Sequence, residues 1–577
     1  MPGFLGIISN ERKNFPENFN LINKSVTSRR ENIEIVGNCW FQRSITENFL
    51  KDKIFKNDHD FFCCTDGIFL NASKLIKENR ADDLFGLIKF LYNQNKLEFP
   101  LQFRGDFSGV IYDKKQESWL IFNNHIGSKP VFYFYDENKK IFIFGCEFKM
   151  VLNGLKAIGI IPTLNEIGAY FLLTFGYMIG DETLVKEIKK LPPGSILKYQ
   201  NGKININQYY KLNNTPYIEA QDEEIIEELH KRFSEAIEAE YGKDSEYGYN
   251  HIATLSGGLD SRQNVCYAKK LGISNLLTIC FSQSNYLDEQ ISKKIASDWN
   301  YNYLFSSLDN GNYLKDIDTH VLVNDGLCFY AGAAHVYSML RFINWTSFGL
   351  LHTGQIGDLI MGSYLEKPMH QDINEFTIKK VATSTKLMKR IPDEVLLNLN
   401  KKYSNNEIFA FYERCINGVF NGYRVIEQFS EYSSPFLYLD FLEYAIRIHP
   451  KKRYKEAIYI KWIQEKAPEA KKYIWEKTGF PIGTPGGVIF IFKTLKMIKN
   501  KIFGPSKNDS MNPFDYWYKY NPELRIIFEE YFNKHISLLD NYPQLKKDVN
   551  YLFQEGNTIE KTQVLTLLAA IKLHNLK

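Results

Sequence analysis

The stretch Leu255-Ser256-Gly257-Gly258-Leu259-Asp260-Ser261 decides how the rest of the chain is read. It follows the apolar run Ile252-Ala253 and opens a helix predicted to continue through Ala268. A strand, a glycine turn and a helix start make an anion cradle, because glycines let backbone amides converge and the helix dipole favours phosphate there. The cradle carries hydroxyls and one carboxylate but no lysine. It is therefore not the G-x-x-x-x-G-K-S/T phosphate loop, and an ordinary kinase or GTPase reading loses support.

Downstream of Glu223, strands alternate with helices, the pattern of a doubly wound α/β domain with a parallel sheet. Strands are predicted at residues 251–255, 276–281, 303–306 and 349–352, with a helix ended by Gly272 and another over 288–299. In such a sheet, ligands sit beyond the carboxyl ends of the strands. Two motifs fall there: the glycine turn, and Thr353-Gly354-Gln355-Ile356-Gly357-Asp358-Leu359-Ile360-Met361-Gly362. Each combines glycines with one aspartate, and Asp260 with Asp358 over a nucleotide's phosphates would hold Mg²⁺, which prefers a couple of carboxylates plus phosphate oxygens. Beyond Leu365 the chain reads as mostly helical.

Upstream, short β-rich runs at 3–8, 61–64, 109–112, 119–122, 131–134 and 141–144 predict packed antiparallel sheets. Leu191-Pro192-Pro193-Gly194-Ser195 is a turn, and a last strand is predicted at 196–198. Residues 209–222 read as a linker, which divides the chain into 1–208, 209–222 and 223–577.

With 577 residues the chain exceeds what one core serves. A net charge of +4 gives no reason to expect nucleic acid. The eight cysteines, including Cys63-Cys64, have no C-x-x-C spacing and read as reduced thiols of a cytoplasmic protein. The start Met1-Pro2-Gly3-Phe4-Leu5 lacks the flank of a secretory signal, and no apolar run approaches the roughly 20 residues of a membrane span. The run 488–492 followed by Lys493, Lys496, Lys499 and Lys501 is read as a solvated helix face rather than a membrane-surface helix. Asp58-His59-Asp60 is read as a solvated loop rather than a metal site.

On these motifs the sequence resembles the asparagine synthetase family of the glutamine-hydrolysing type, with its relatives the β-lactam synthetases and lasso-peptide cyclases. The resemblance extends over nearly the whole chain. It implies an ATP-pyrophosphatase domain in which Leu255 to Ser261 bind ATP through its pyrophosphate portion, with Phe281 at the adenine and Thr353 and Gly354 beside the phosphates. The family's G-x-G-S-D-E-x-x-G-G-Y is matched loosely by 354–364, which implies Asp260 and Asp358 as Mg²⁺ ligands. Pro435-Phe436-Leu437 with Asp440 resembles E-x-R-x-P-F-L-D, with Glu431 at the glutamate and Ser433 in place of the arginine. Trp475-Glu476-Lys477-Thr478-Gly479-Phe480 resembles R-x-K-x-x-F, which implies Lys477 as the lysine that stabilises charge during adenylation. Asp288 reads equally as a site residue or a helix N-cap, and Arg262 as a solvated helix residue rather than a phosphate contact.

Gly105-Asp106-Phe107-Ser108, the run from Asn124 to Tyr133 and the 191–194 turn resemble the family's glutaminase domain, an Ntn-hydrolase-like sandwich of two antiparallel sheets. Its chemistry is missing from the sequence. Glutamine-using members carry at residue 2 a cysteine that attacks the glutamine amide; here Pro2 stands there, Asp66-Gly67-Ile68 replaces N-G-E, and no H-R-G-P-D segment is found. The domain is expected to be an inactive scaffold. Gln355 takes the place of a glutamate or tyrosine that assists deprotonation of the amine, and an amide cannot act as a base; Glu427 or Glu431 could replace it, and Glu413 and Asn417 lie near the position of a further acidic partner.

The expected function is an ATP-dependent, AMP-forming carbon–nitrogen ligase. It activates a carboxylate as acyl-adenylate and passes the acyl group to ammonia or an amine, with Lys477, Gln355 and Glu431 as the catalytic candidates. Intramolecular amide closure and a silent binding homologue are the alternatives, and a homodimeric assembly stays open.

Overall fold

The computed structural model describes residues 3–9, 29–491, 494, 506–508 and 510–577. Pro2 and the lysines at 493, 496, 499 and 501 lie outside the described residues.

The amino-terminal part is two stacked antiparallel sheets of six strands each. The first runs Lys189–Lys190, Phe132–Asp136, Ile141–Gly145, Gly3–Ile8, Cys39–Thr46, Arg29–Val36. The second runs Lys203–Gln208, Ser195–Gln200, Ser118–Asn123, Phe107–Asp113, Phe61–Gly67, Phe55–Asn57. Alternation along each strand sorts the side chains between two cores. Phe4 and Ile8 join Phe41, Phe62, Trp119 and Phe144 between the sheets, whereas Leu5 and Ile7 face outward into the core that holds the helix Phe148–Ala157. Cys64 points between the sheets, and Cys63 lies on the other face of its sheet with residues of the helices Ala72–Asn79 and Leu84–Asn95. The result is a four-layer α-β-β-α arrangement, and burial on both faces is why these strands read as unbroken apolar runs.

The predicted strands are all present, but the reading missed several. Cys39–Thr46 is buried throughout yet carries Gln42, Arg43 and Ser44, so its periodicity is masked. Arg29–Val36 is an edge strand rich in charge, a common guard against edge pairing. The strand at 196–198 does not close the region; Lys203–Gln208 does, paired to it through a tight turn at Asn201-Gly202.

A long helix, Asp222–Tyr247, starts where the linker ends, with a capping box between Gln221 and Glu224. It packs on a five-stranded parallel sheet in the order Asn302–Ser307, Leu276–Ser282, Asn250–Thr254, Phe348–His352, Tyr432–Ser433. Chain order reverses between Asn250–Thr254 and Phe348–His352, which is the switch point of a doubly wound sheet. The fifth strand has only two residues, too short for a periodic signal. The carboxyl-terminal part is helical, as expected. Its last helix, Thr558–His574, packs on Glu166–Phe175 from the amino-terminal half, and Leu164 N–H donates to the Lys577 carbonyl at 3.0 Å. One apolar core therefore runs from Leu5 to Leu576 without a break at the linker. All eight cysteines are buried and unpaired, and among the described residues no helix is long and apolar enough to cross a membrane.

Candidate active site

Both predicted motifs lie at the switch point, one after each of its two strands. The first loop is fixed by its own hydroxyls: Ser256 N–H donates to Ser261 Oγ at 3.0 Å and Gly258 N–H to Ser256 Oγ at 3.1 Å. Gly257 N–H donates to Asp288 Oδ1 at 2.7 Å. This resolves Asp288, since the N-cap of the helix Leu287–Trp299 is Tyr286. Asp288 instead clamps the glycine turn, and burial pushes its carboxyl up to about 7.

Arg262 corrects its reading as a solvated residue. It is 1% exposed, and its guanidinium donates to the carbonyls of Gly257 at 2.8 Å and Ile474 at 2.7 Å. Those bonds pin the loop to the hairpin Ile474–Trp475 and Phe480–Pro481. Glu476 N–H adds a bond to the Gly257 carbonyl at 3.1 Å, and a Cβ at Gly257 would lie 2.8 Å from the Cβ of Glu476.

The second loop presses on the first. A Cβ at Gly354 would lie 2.2 Å from the Ser261 nitrogen, and one at Gly357 would lie 2.7 Å from the Asp260 carboxyl carbon. Only glycine lets the strands' ends bring the two aspartates together. Asp260 accepts from Asp358 N–H and from Tyr459 OH, each at 2.8 Å. The Asp358 carboxylate accepts from Ser363 Oγ at 2.9 Å. Burial first, then the Asp358 charge, holds the Asp260 carboxyl well above its ordinary value of 3.8.

These loops wall a cavity of about 420 Å³. Leu255, Ser256, residues 258–261, Phe281, Gly354, Gln355 and Asp358 line it. Gly257 and Thr353 stand behind the wall; Thr353 N–H donates to the Ser433 carbonyl at 2.9 Å, tying this strand to the fifth. Lys477, on the hairpin turn, pairs through Nζ with Glu456 Oε2 at 2.5 Å and is 45% exposed. Lys477 does not line the cavity, and its partner Glu456 is the last of the charges that raise Asp260. Sequence reasoning missed Tyr459, Tyr423 and the cover supplied by Met511 and Asn512. Tyr423 lines the cavity together with Gln355. None of these four carries a local motif; they arrive from remote helices and loops.

Glu431 is not in this cavity, which corrects its place among the catalytic candidates. It is buried at the junction with the amino-terminal sheets, 2.8 Å from Lys53 Nζ and 2.7 Å from Lys129 Nζ. Against the cost of burial, the two lysines hold its carboxyl at about 2, too low for a base near neutral pH. Glu427 likewise pairs with Lys129 at 3.0 Å and Arg424 at 3.2 Å. Asp440 pairs with Arg104 at 2.9 Å across the same junction. Glu413 accepts from Gly180 N–H at 2.9 Å and from Asn417 at 2.7 Å, away from the aspartate pair. Asp58-His59-Asp60 is a surface turn whose histidine is 95% exposed.

Fold and site together define a doubly wound α/β domain with paired aspartates at its switch point, joined to a four-layer α-β-β-α domain. Residues 87–210 match the family model of the glutamine amidotransferase domain. The chain is 26% identical over 282 residues to a "putative asparagine synthetase (glutamine-hydrolyzing) 2" of Methanocaldococcus jannaschii, covering 48% of this chain and 52% of that protein. It is 22% identical over 315 residues to asparagine synthetase B (glutamine-hydrolyzing) of Escherichia coli, covering 51% and 50%. The match thus spans about half the length of these curated relatives. A solved glutamine phosphoribosylpyrophosphate amidotransferase of B. subtilis superposes with a TM-score of 0.25 at 11% identity over 47% of this chain and 64% of that one, a score too low to bear on function. Over about half of its length the chain is distantly similar to asparagine synthetases.

Proposed function

We propose that this chain is an ATP-dependent ligase that activates a carboxylate as an acyl-adenylate, releases pyrophosphate, and passes the acyl group to ammonia or an amine. The observation that carries the reading is the Asp260–Asp358 pair, set at the switch point by glycines that tolerate no side chain. The pair fits Mg²⁺: two carboxylates share one cavity wall, and after burial the like charge of Asp358 raises the proton affinity of Asp260, a repulsion that a divalent cation would relieve. Mg²⁺ bound there would supply neutralisation of the ATP phosphates. The loop 256–261 and the amino terminus of the helix Leu259–Lys270 would grip the pyrophosphate. Lys477, released from Glu456 toward the substrate, would offset charge at the reacting phosphate, a preorganised electrostatic contribution.

The nitrogen enters from solution in this reading. Position 2 is proline, and beside the first strand the space next to Gly3 and Phe4 is filled by Cys146, whose sulfur lies 3.0 Å from Phe4 N. Burial pushes that thiol well above its ordinary value, so it offers no thiolate nucleophile. With Gln355 an amide and Glu427 and Glu431 paired to cations, the amine deprotonates in solution or on the substrate itself.

Carboxylate-dependent exchange of labelled pyrophosphate into ATP tests the reading. Exchange is expected with some acid in a broad panel, and Asp260→Asn and Asp358→Asn each lower it at least about a hundredfold. No exchange with any acid, or exchange indifferent to both substitutions, rejects it.

A further inference from the structure

A second cavity, of about 130 Å³, adjoins the first and shares Gly332 and Tyr423 with it. Its walls are small and flat. Gly176, Gly418 and Gly422 leave the room, and Tyr177 and Phe329 are among the residues that line it. The glycines cannot be filled without loss of that space: a Cβ at Gly176 would lie 2.9 Å from the Phe329 ring, and one at Gly418 would lie 3.0 Å from the Tyr177 ring. Tyr423, which lines both cavities, stands at the junction.

One charged side chain lines this slot, Arg414. The buried arginines at the centre of the molecule are matched to carbonyls or carboxylates: Arg453 to Glu407, Arg424 to Glu147 and Glu427, Arg262 to the peptide carbonyls of Gly257, Ala470, Tyr473 and Ile474. Arg414 lies 5.8 Å from the centre of the Tyr177 ring, with the phenol of Tyr364, on the Asp358 loop, near it. Among the described residues no carboxylate forms an ion pair with it. Its neighbour Glu413 turns the other way, to Gly180. A guanidinium held in a half-buried slot without an anion is a preformed receptor for one, because its fork matches a carboxylate or phosphate in two parallel bonds.

We propose that the slot receives the distal end of the acid that is activated in the larger cavity, and that this acid has a flat or apolar body ending in a second anionic group bound by Arg414. The inference rests on the ligase reading for the position of the reacting carboxylate. The aromatic and glycine walls select the body, and Arg414 selects the terminal charge.

Calorimetric titration of the full chain, preloaded with Mg²⁺ and a non-hydrolysable ATP analogue, tests it. The probes are shape-matched pairs: 4-carboxyphenylacetate against 4-carbamoylphenylacetate, and glutarate against its monoamide. The parent protein is expected to prefer the dianion of the aromatic pair at least about tenfold. Arg414→Gln removes that preference, Arg414→Lys restores part of it, and affinity for the ATP analogue stays within about twofold in both. Gly418→Val, which fills the slot, weakens both aromatic probes equally. Equal binding of the aromatic pair by the parent, binding of neither, or a parallel loss of ATP affinity in Arg414→Gln overturns the inference. Pyrophosphate exchange run alongside separates the two claims. Exchange with acids that show no dianion preference leaves the ligase reading and removes the Arg414 receptor; an Arg414-dependent preference without exchange keeps the receptor and removes the ligase.

Discussion

Asp260 is a half-buried carboxylate whose close charged neighbour, Asp358, has the same sign. Asp260→Asn keeps both hydrogen bonds, since the new oxygen can accept from Asp358 N–H and the new amino group can donate to Tyr459. The chain free of nucleotide and metal should therefore gain about 1 kcal/mol or more in urea unfolding while pyrophosphate exchange is lost; a variant less stable than the parent speaks against the surplus of charge. Glu407 shows the opposite balance. Against the cost of burial, Arg453 at 2.5 Å and His370 at 2.8 Å lower its carboxyl from 4.5 to about 2. A depressed carboxylate contributes stability that is present above its unfolded value and lost as pH falls through the folded one. Acid titration of the melting temperature should show a constant gap between Glu407→Gln and parent above pH 4.5, closing as pH falls from there to about 2. At this scale the sequence made Asp260, Asp358 and the glycines legible because each sits in a short motif. It misread Glu431 and Arg262, since a charge's partners lie far along the chain: Lys53 and Lys129 for one, the carbonyls of residues 470–474 for the other.

The elements that build the site are two strand ends and the turns that follow them, and their approach depends on Gly354. Gly354→Ala forces its Cβ to within 2.2 Å of the Ser261 nitrogen unless the loops part. Backbone shifts of that kind cost about 1–3 kcal/mol. The expected result is a melting temperature lowered accordingly and exchange reduced more than about tenfold; an unchanged exchange rate would mean that the aspartates need not be so close. Strands carrying periodic or continuous apolar residues were read correctly in both halves. Those that escaped carry charge at an edge, as Arg29–Val36 does, span two residues, as Tyr432–Ser433 does, or bury polar residues among the apolar ones, as Cys39–Thr46 does. The hairpin that presents Lys477 also left no strand signal, and its place follows from the Arg262 and Glu476 bonds to the Gly257 carbonyl.

Across the whole molecule the two halves are joined by buried charge as well as apolar contact. Lys129 reaches Glu427, Glu431 and Asp66 at 3.0, 2.7 and 3.6 Å, and Lys53 reaches Glu431 from the same side. Lys129→Met strands carboxylates in the interior, so unfolding of the full chain should fall by about 3–5 kcal/mol; a loss below about 1 kcal/mol would show the junction to be hydrated or loosely closed. The sequence divided the chain at 209–222 but gave no hint that Thr558–His574 packs back on the amino-terminal half, because long-range helix packing leaves no local mark. The proposed function places the chemistry at the α-phosphate of ATP. The most direct test is turnover with an acid labelled by ¹⁸O in its carboxylate, once exchange has identified one. Adenylation predicts one labelled oxygen in AMP, with unlabelled pyrophosphate; ADP accompanied by labelled inorganic phosphate would contradict it.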